Sequence, residues 1–272
     1  MQPIRQPAVA GMFYPLNEIK LREEINFFLD LTATQENYDK ITSLIVPHAG
    51  YIYSGKTAAY AYNTIRGKEF KTVVIISPSH REYFTGISIY DGDAYRTPLG
   101  TVFINKDISN ELTRESERIF LGLEGHKQEH AVEVQLPFLQ TVLNDFTIVP
   151  IVIGDQRRIF VYELAEKLSQ VIDDKTLIVA SSDLSHYHSK LEADSLDSRI
   201  EMRVKNFDYD GLMNDLELNN SEACGGGAIV AAMRASGLIM KNKVEILDRS
   251  DSGDVSGDNN QVVGYLSAVI YG

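Results

Sequence analysis

The run "KTVVIISPSH", residues 71–80, carries four aliphatic β-branched side chains in a row, Val73 to Ile76, and then breaks at Ser77-Pro78. Side chains on a strand alternate between its two faces, so an unbroken apolar run presents hydrocarbon on both and must be covered on both. Three other segments share this character: "ITSLIV" (41–46), "FTIVPIVI" (146–153) and "TLIVAS" (176–181). Between them the apolar spacing turns helical. Residues 16–31 place Ile19, Ile25, Phe28 and Leu29 at helical intervals, and residues 129–143 and 157–172 behave alike. Strands alternating with helices predict an α/β fold, with a largely parallel central sheet and flanking helices. The segment 86–105 is broken by Gly and Pro and reads as a β-hairpin insertion. Residues 262–272 read as another strand after a polar loop, 250–261. With no internal repeat or long linker, one domain spanning residues 1–272 is the expectation.

Composition narrows the function. A net charge of -12 over 272 residues disfavours nucleic acid, because phosphate binding needs a basic face. No segment holds the roughly 20 apolar residues of a membrane span, and residues 1–15 do not resemble a secretory signal. A single cysteine, Cys224, leaves no internal disulfide and suits a reducing compartment, with the cytoplasm as the expected location.

The chemistry collects where apolar runs end. In open α/β sheets ligands bind beyond the carboxyl ends of the strands, where loops converge on a rigid base. The first run ends in Pro47-His48, the second in His80, and the fourth in "SSDLSHYH", which supplies Asp183, Ser185, His186 and His188. Three strand ends thus deliver an imidazole toward one edge, and His188 is expected in solvent. Cys224 precedes a glycine run and a helix, "CGGGAIVAAMRASG", where a helix N-terminus would favour the thiolate and glycines would permit close approach. The glycine run lacks the Lys-Ser/Thr sequel of a phosphate-binding loop. On a helix over 129–143, His130 and Glu133 would share one face, with His130 available to donate a proton or orient a substrate. His126 reads as an exposed loop residue. CxxC pairs, HExxH and GxSxG are absent, which removes support for zinc-finger, zincin and serine-hydrolase readings.

The blocks "RQPAVAGMFYP", "VPHAGYIYSG", "SPSH", "EHAVEVQLPFL", "VPIVIGD" and "SSDLSHY", running in order from residue 5, resemble the Memo family. Its microbial members are often called AmmeMemoRadiSam system protein B. That family is similar in fold to class III extradiol dioxygenases, which are non-heme iron enzymes. The resemblance implies that His48 and His80 are metal ligands, that His186 lines the metal site as acid, base or further ligand, and that Cys224 replaces the dioxygenase glutamate. A thiolate in that place softens the site relative to the two-histidine, one-carboxylate triad of oxygen-activating iron.

Three functions are expected from these readings. The first is a metal-dependent, dioxygenase-like redox protein acting on an unknown small molecule. Iron(II) is favoured, copper or zinc are the alternatives, and Asp183 orients His186. The second is a zinc hydrolase with His186 or His130 as base. The third is a binding module, since animal relatives are associated with phosphotyrosine-containing receptor peptides. Microbial relatives are associated with an AMMECR-type protein and a radical SAM enzyme, which the resemblance offers as functional partners.

Overall fold

Residues 3–33 and 36–272 are described by the computed structural model. In chain order the first elements are β1 (Ile4–Arg5), α1 (Glu18–Leu31), β2 (Ser43–Val46), α2 (Tyr51–Asn63) and β3 (Thr72–Pro78). Then come β4 (Ile87–Tyr90), β5 (Ala94–Thr97), β6 (Gly100–Phe103), α3 (Lys106–Thr113) and β7 (Ile119–Gly122). A single 3₁₀ turn, Glu133–Gln135, leads into α4 (Leu136–Val142), β8 (Thr147–Ile153), α5 (Arg158–Val171), β9 (Thr176–Ser181) and β10 (His186–His188). The chain closes with α6 (Lys190–Lys205), α7 (Tyr209–Glu217), α8 (Gly226–Leu238), β11 (Lys243–Asp251), α9 (Gly253–Ser256) and β12 (Val262–Tyr271).

The four apolar runs become β2, β9, β3 and β8, side by side and mutually parallel at the centre of a nine-stranded mixed sheet. Antiparallel β12 flanks β2 and antiparallel β4 flanks β8. The alternation expected of doubly covered strands is explicit. Leu44, Val46, Val73, Ile75, Leu177 and Val179 pack with α1, α2 and α4, while Ile45, Val74, Ile76, Ile178 and Ala180 pack with α5 and α8. Each fully buried aliphatic side chain contributes roughly 1.5–3 kcal/mol. The sheet is therefore a rigid base for whatever its strand ends carry.

Several local expectations change. Only β5 and β6 form the hairpin, which β1 extends into a three-stranded sheet, whereas β4 joins the main sheet. The segment 250–261, expected as a loop, contributes Ser250 and Asp251 to β11, which pairs with β12. Helix α1 buries Leu21, Ile25 and Leu29 and turns Ile19 outward. Residues 129–132 are not helical. Pro137 has no N–H to donate, so regular α-helix is confined to Leu136–Val142, where that missing donor falls in the first turn.

Candidate metal centre

His48 leaves β2 through Pro47 and is 1% exposed. Its backbone N–H donates to Asp183 Oδ1 at 2.7 Å, and its Nδ1 lies 2.9 Å from Ser181 Oγ at the end of β9. His80, two residues past β3, is held by a different partner. Glu129 accepts from its backbone N–H at 2.6 Å and from its Nδ1 at 2.9 Å. The same carboxylate also accepts from the backbone N–H groups of His130 and Ala131. Burial alone would push Glu129 up. The hydrogen bonds and charge from His80, with His130 nearby, outweigh it and hold the carboxyl down at about 2. Being ionised, Glu129 can only accept, so His80 donates to it from Nδ1 and turns Nε2 the other way.

His130 completes a triangle of imidazoles. Ring centroids are 5.1 Å apart for His48 and His80, 5.3 Å for His48 and His130, and 4.7 Å for His80 and His130. Burial first, then neighbouring imidazoles, lower His48 to about 3 and His130 to about 4, so both rings are neutral at pH 7. Phe13 packs on the His130 ring at 4.8 Å. The buried His130 Nδ1 lies 3.3 Å from Glu129 Oε1 but makes no hydrogen bond.

Cys224 reaches the same place from the other side of the sheet edge. Its Sγ is 3.1 Å from His48 Nε2 and accepts from the Asp183 N–H at 3.3 Å. The glycine that follows makes this possible. A Cβ on Gly225 would sit 2.3 Å from the Ser181 carbonyl oxygen, so no other residue fits without moving the loop. The thiol is not activated as the sequence implied. Helix α8 begins at Gly226, beyond Cys224, and burial together with the Asp183 carboxylate pushes the thiol well above its ordinary range. The protonated thiol faces the His48 nitrogen.

One donor atom from each of His48, His80 and Cys224 lies within 4.8 Å of the other two, and the same holds for His80, Glu129 and His130. Two imidazoles and a sulfur are a donor set that could hold a transition-metal ion. Among the described residues His186 falls in neither set. Its Nδ1 meets the Leu184 carbonyl at 2.8 Å, and its side chain is 27% exposed. Asp183 is buried, which raises its pKa, and it serves His48 rather than orienting His186. His188 is not simply solvated. Tyr187 adopts a left-handed φ of 61° at a bulge in β10, and His188 Nε2 meets Glu222 at 2.9 Å.

Two further sequence readings are corrected. His126 is 1% exposed, not a surface residue, because Tyr95 Oη and the Ser88 carbonyl meet its two ring nitrogens at 2.8 and 3.2 Å. Glu133 does not pair with His130. It is fully buried and accepts from Arg5 Nη1, the N–H groups of Ala8 and Val9, and the Tyr14 hydroxyl. Arg5 also donates to the carbonyls of His126 and Glu129. This knot straps the N-terminal segment to the loop that carries Glu129 and His130.

A family model described as Memo-like protein matches residues 5–269. The chain belongs to the Memo family. MEMO1 family proteins of Thermoplasma volcanium and Thermoplasma acidophilum are each 38% identical to it. The first aligns over 98% of both chains, the second over 97% of this chain and 98% of its own. A MEMO1 family protein of Methanosarcina mazei is 36% identical over 98% of this chain and 99% of its own. Among solved structures, an uncharacterized protein from Escherichia coli K12 superposes with a TM-score of 0.56 at 15% identity. That match covers 85% of this chain and all of the other, a likeness of fold alone. Among the described residues of this Memo protein no helix is long and apolar enough to cross a membrane.

Proposed function

We propose that this Memo protein binds one transition-metal ion through His48, His80 and Cys224 and uses it in redox chemistry on a small molecule. Iron(II) is the favoured ion, ahead of copper and zinc. The observation that carries the reading is the convergence of the Cys224 sulfur and two imidazoles within 4.8 Å. When bound, such an ion supplies one-electron redox chemistry and polarises a ligand at an open coordination position.

The chain's own residues define the rest. Cys224 must give up its proton for the sulfur to become a ligand, so metal binding releases a proton at neutral pH. Glu129 holds the His80 ring in one orientation, in the manner of a carboxylate behind a ligating histidine. His130 is neutral, packed against Phe13 and free of hydrogen bonds at Nδ1, which fits it to exchange a proton with a bound substrate. His186 stands at the rim with Nδ1 committed to Leu184, leaving Nε2 to accept a proton.

The test is anaerobic purification with elemental analysis, followed by calorimetric titration of iron(II) at several pH values. Stoichiometric binding is expected, with affinity rising about tenfold per pH unit as one thiol proton is displaced. Cys224→Ser should weaken it sharply. Affinity that is independent of pH, or unchanged in Cys224→Ser, overturns the assignment. Zinc alone at one equivalent, with hydrolysis of esters or amides, would replace it with a hydrolase.

A further inference from the structure

The two imidazoles assigned to the metal differ in what stands behind them, and His48 has no carboxylate on its Nδ1. We propose that Gln135, Ser181 and Tyr62 form a buried relay that fixes the tautomer of His48 and directs its Nε2 lone pair into the site. The purpose of the relay rests on the metal-site reading, whereas its hydrogen bonds do not.

Each hydrogen on these groups can be placed. The Ser181 hydroxyl has one hydrogen, and the Ala131 carbonyl takes it at 2.8 Å. Toward its other partners Ser181 can only accept. Gln135 Nε2 supplies one N–H to Ser181 at 2.8 Å and its second to the Pro47 carbonyl at 2.9 Å. The amide cannot be reversed, because that would set Gln135 Oε1 against the Pro47 carbonyl with no hydrogen between them. Its oxygen is already occupied, accepting from the Tyr62 hydroxyl at 2.8 Å. The remaining lone pair of Ser181 faces His48 Nδ1 at 2.9 Å, so His48 must donate there. A neutral imidazole with its proton on Nδ1 has a lone pair on Nε2, the atom 3.1 Å from Cys224 Sγ.

No water is needed at any step, and none of the groups is open to solvent. His48, Ser181, Gln135 and Tyr62 are all 1% exposed or less. The Tyr62 ring lies flat on Phe138, with centroids 4.9 Å apart and planes 7° apart, which fixes the hydroxyl at the far end. The relay thus runs from the packed hydrophobic face of the sheet to the metal-facing nitrogen. Gln135 and Ser181 are positioning residues. They act on a bound ion through His48 alone.

Histidine side-chain 15N correlation spectra of the metal-free protein at pH 7 test this directly. The His48 signals are assigned by their loss in His48→Asn. The wild-type ring is expected as the Nδ1–H tautomer. Ser181→Ala should mix the tautomers and weaken cobalt(II) binding by about 10- to 100-fold, the range typical of partners behind a metal ligand, and Ser181→Thr should restore both. A wild-type Nε2–H tautomer, or a Ser181→Ala protein with unchanged tautomer and affinity, overturns the relay. If Ser181→Ala does not fold, the wild-type spectrum still decides. If the wild type binds no cobalt(II), the metal-site reading fails, and the tautomer spectrum judges the relay separately.

Discussion

His48 and His80 present the same ring from the ends of two parallel strands that have β9 between them, yet their surroundings are opposites. His48 is sealed in, and the groups behind its Nδ1 are a neutral hydroxyl and amide. His80 has a side chain 26% exposed and a buried, ionised carboxylate behind it. A sealed ring can be held by hydroxyl and amide alone because water does not compete. A ring open to solvent needs the stronger, charge-assisted hold of a carboxylate. Two side chains of one type therefore fail in different ways when disturbed.

Truncation should expose the largest difference. His48→Ala and His80→Ala should each weaken iron(II) binding by at least about 100-fold, since each removes a donor outright. Their effects on the fold should diverge. His48→Ala opens a buried cavity and strips partners from Ser181 and Cys224, costing about 2–4 kcal/mol. His80→Ala should cost about 1 kcal/mol, because three of the N–H groups on Glu129 are backbone and stay. Urea unfolding of the metal-free variants measures both, and equal losses would erase the distinction.

Glu129→Gln comes next. A carboxamide sets an NH2 against a ring of N–H donors, so about 2 kcal/mol of stability should go. Metal affinity should drop by about 10- to 100-fold as His80 loses its anchor. The same calorimetry and unfolding experiments read it. An unchanged affinity would mean that His80 does not need the carboxylate.

Acid disturbs the rings without removing a donor, and His48→Asn isolates the share of the sealed ring. The folded-state pKa of His48 lies at about 3, against an ordinary value of 6.5. The unfolded chain therefore takes the proton first, so the stabilising contribution is complete above pH 6.5 and is lost as pH falls toward 3. One such group gives a slope of up to about 1.4 kcal/mol per pH unit. His126 and His130 are lowered too and add to the same window. His48→Asn should flatten the profile of unfolding free energy between pH 6.5 and 4 by one proton. Glu129 acts lower, between its ordinary 4.5 and about 2, where protonation removes its stabilisation. A profile unaltered by His48→Asn would mean that the ring is not sealed.

The strand ends were legible because three apolar runs each finish in a turn signal and a histidine, a pattern set by strand chemistry alone. What stood behind the histidines was not. Glu129 looks like a helix-surface acid beside His130, and nothing local reveals that it receives His80 from 49 residues away. Ser181 and Gln135 are ordinary polar residues until β9 and the turn before α4 come together. The thiol of Cys224 was misjudged because its pKa follows enclosure, which the sequence does not display. His126 was misplaced for the same reason: its burial depends on Tyr95 and Ser88, which belong to separate strands. Glu222, beside both rim histidines, gave no signal either.

The strap on Glu133 has a consequence for how the protein is made. Arg5 meets Glu133 across 128 residues and His126 across 121, so the segment around Arg5, once made, waits for its partners until more than a hundred further residues have followed. Contacts of such separation form late, after loop closure has been offset elsewhere. Until then Ala8, Val9 and Tyr14 cannot fasten the loop that carries Glu129 and His130. The ring that follows β2 can take its place as the sheet condenses, but the ring past β3 has to wait for the segment around Arg5 to return.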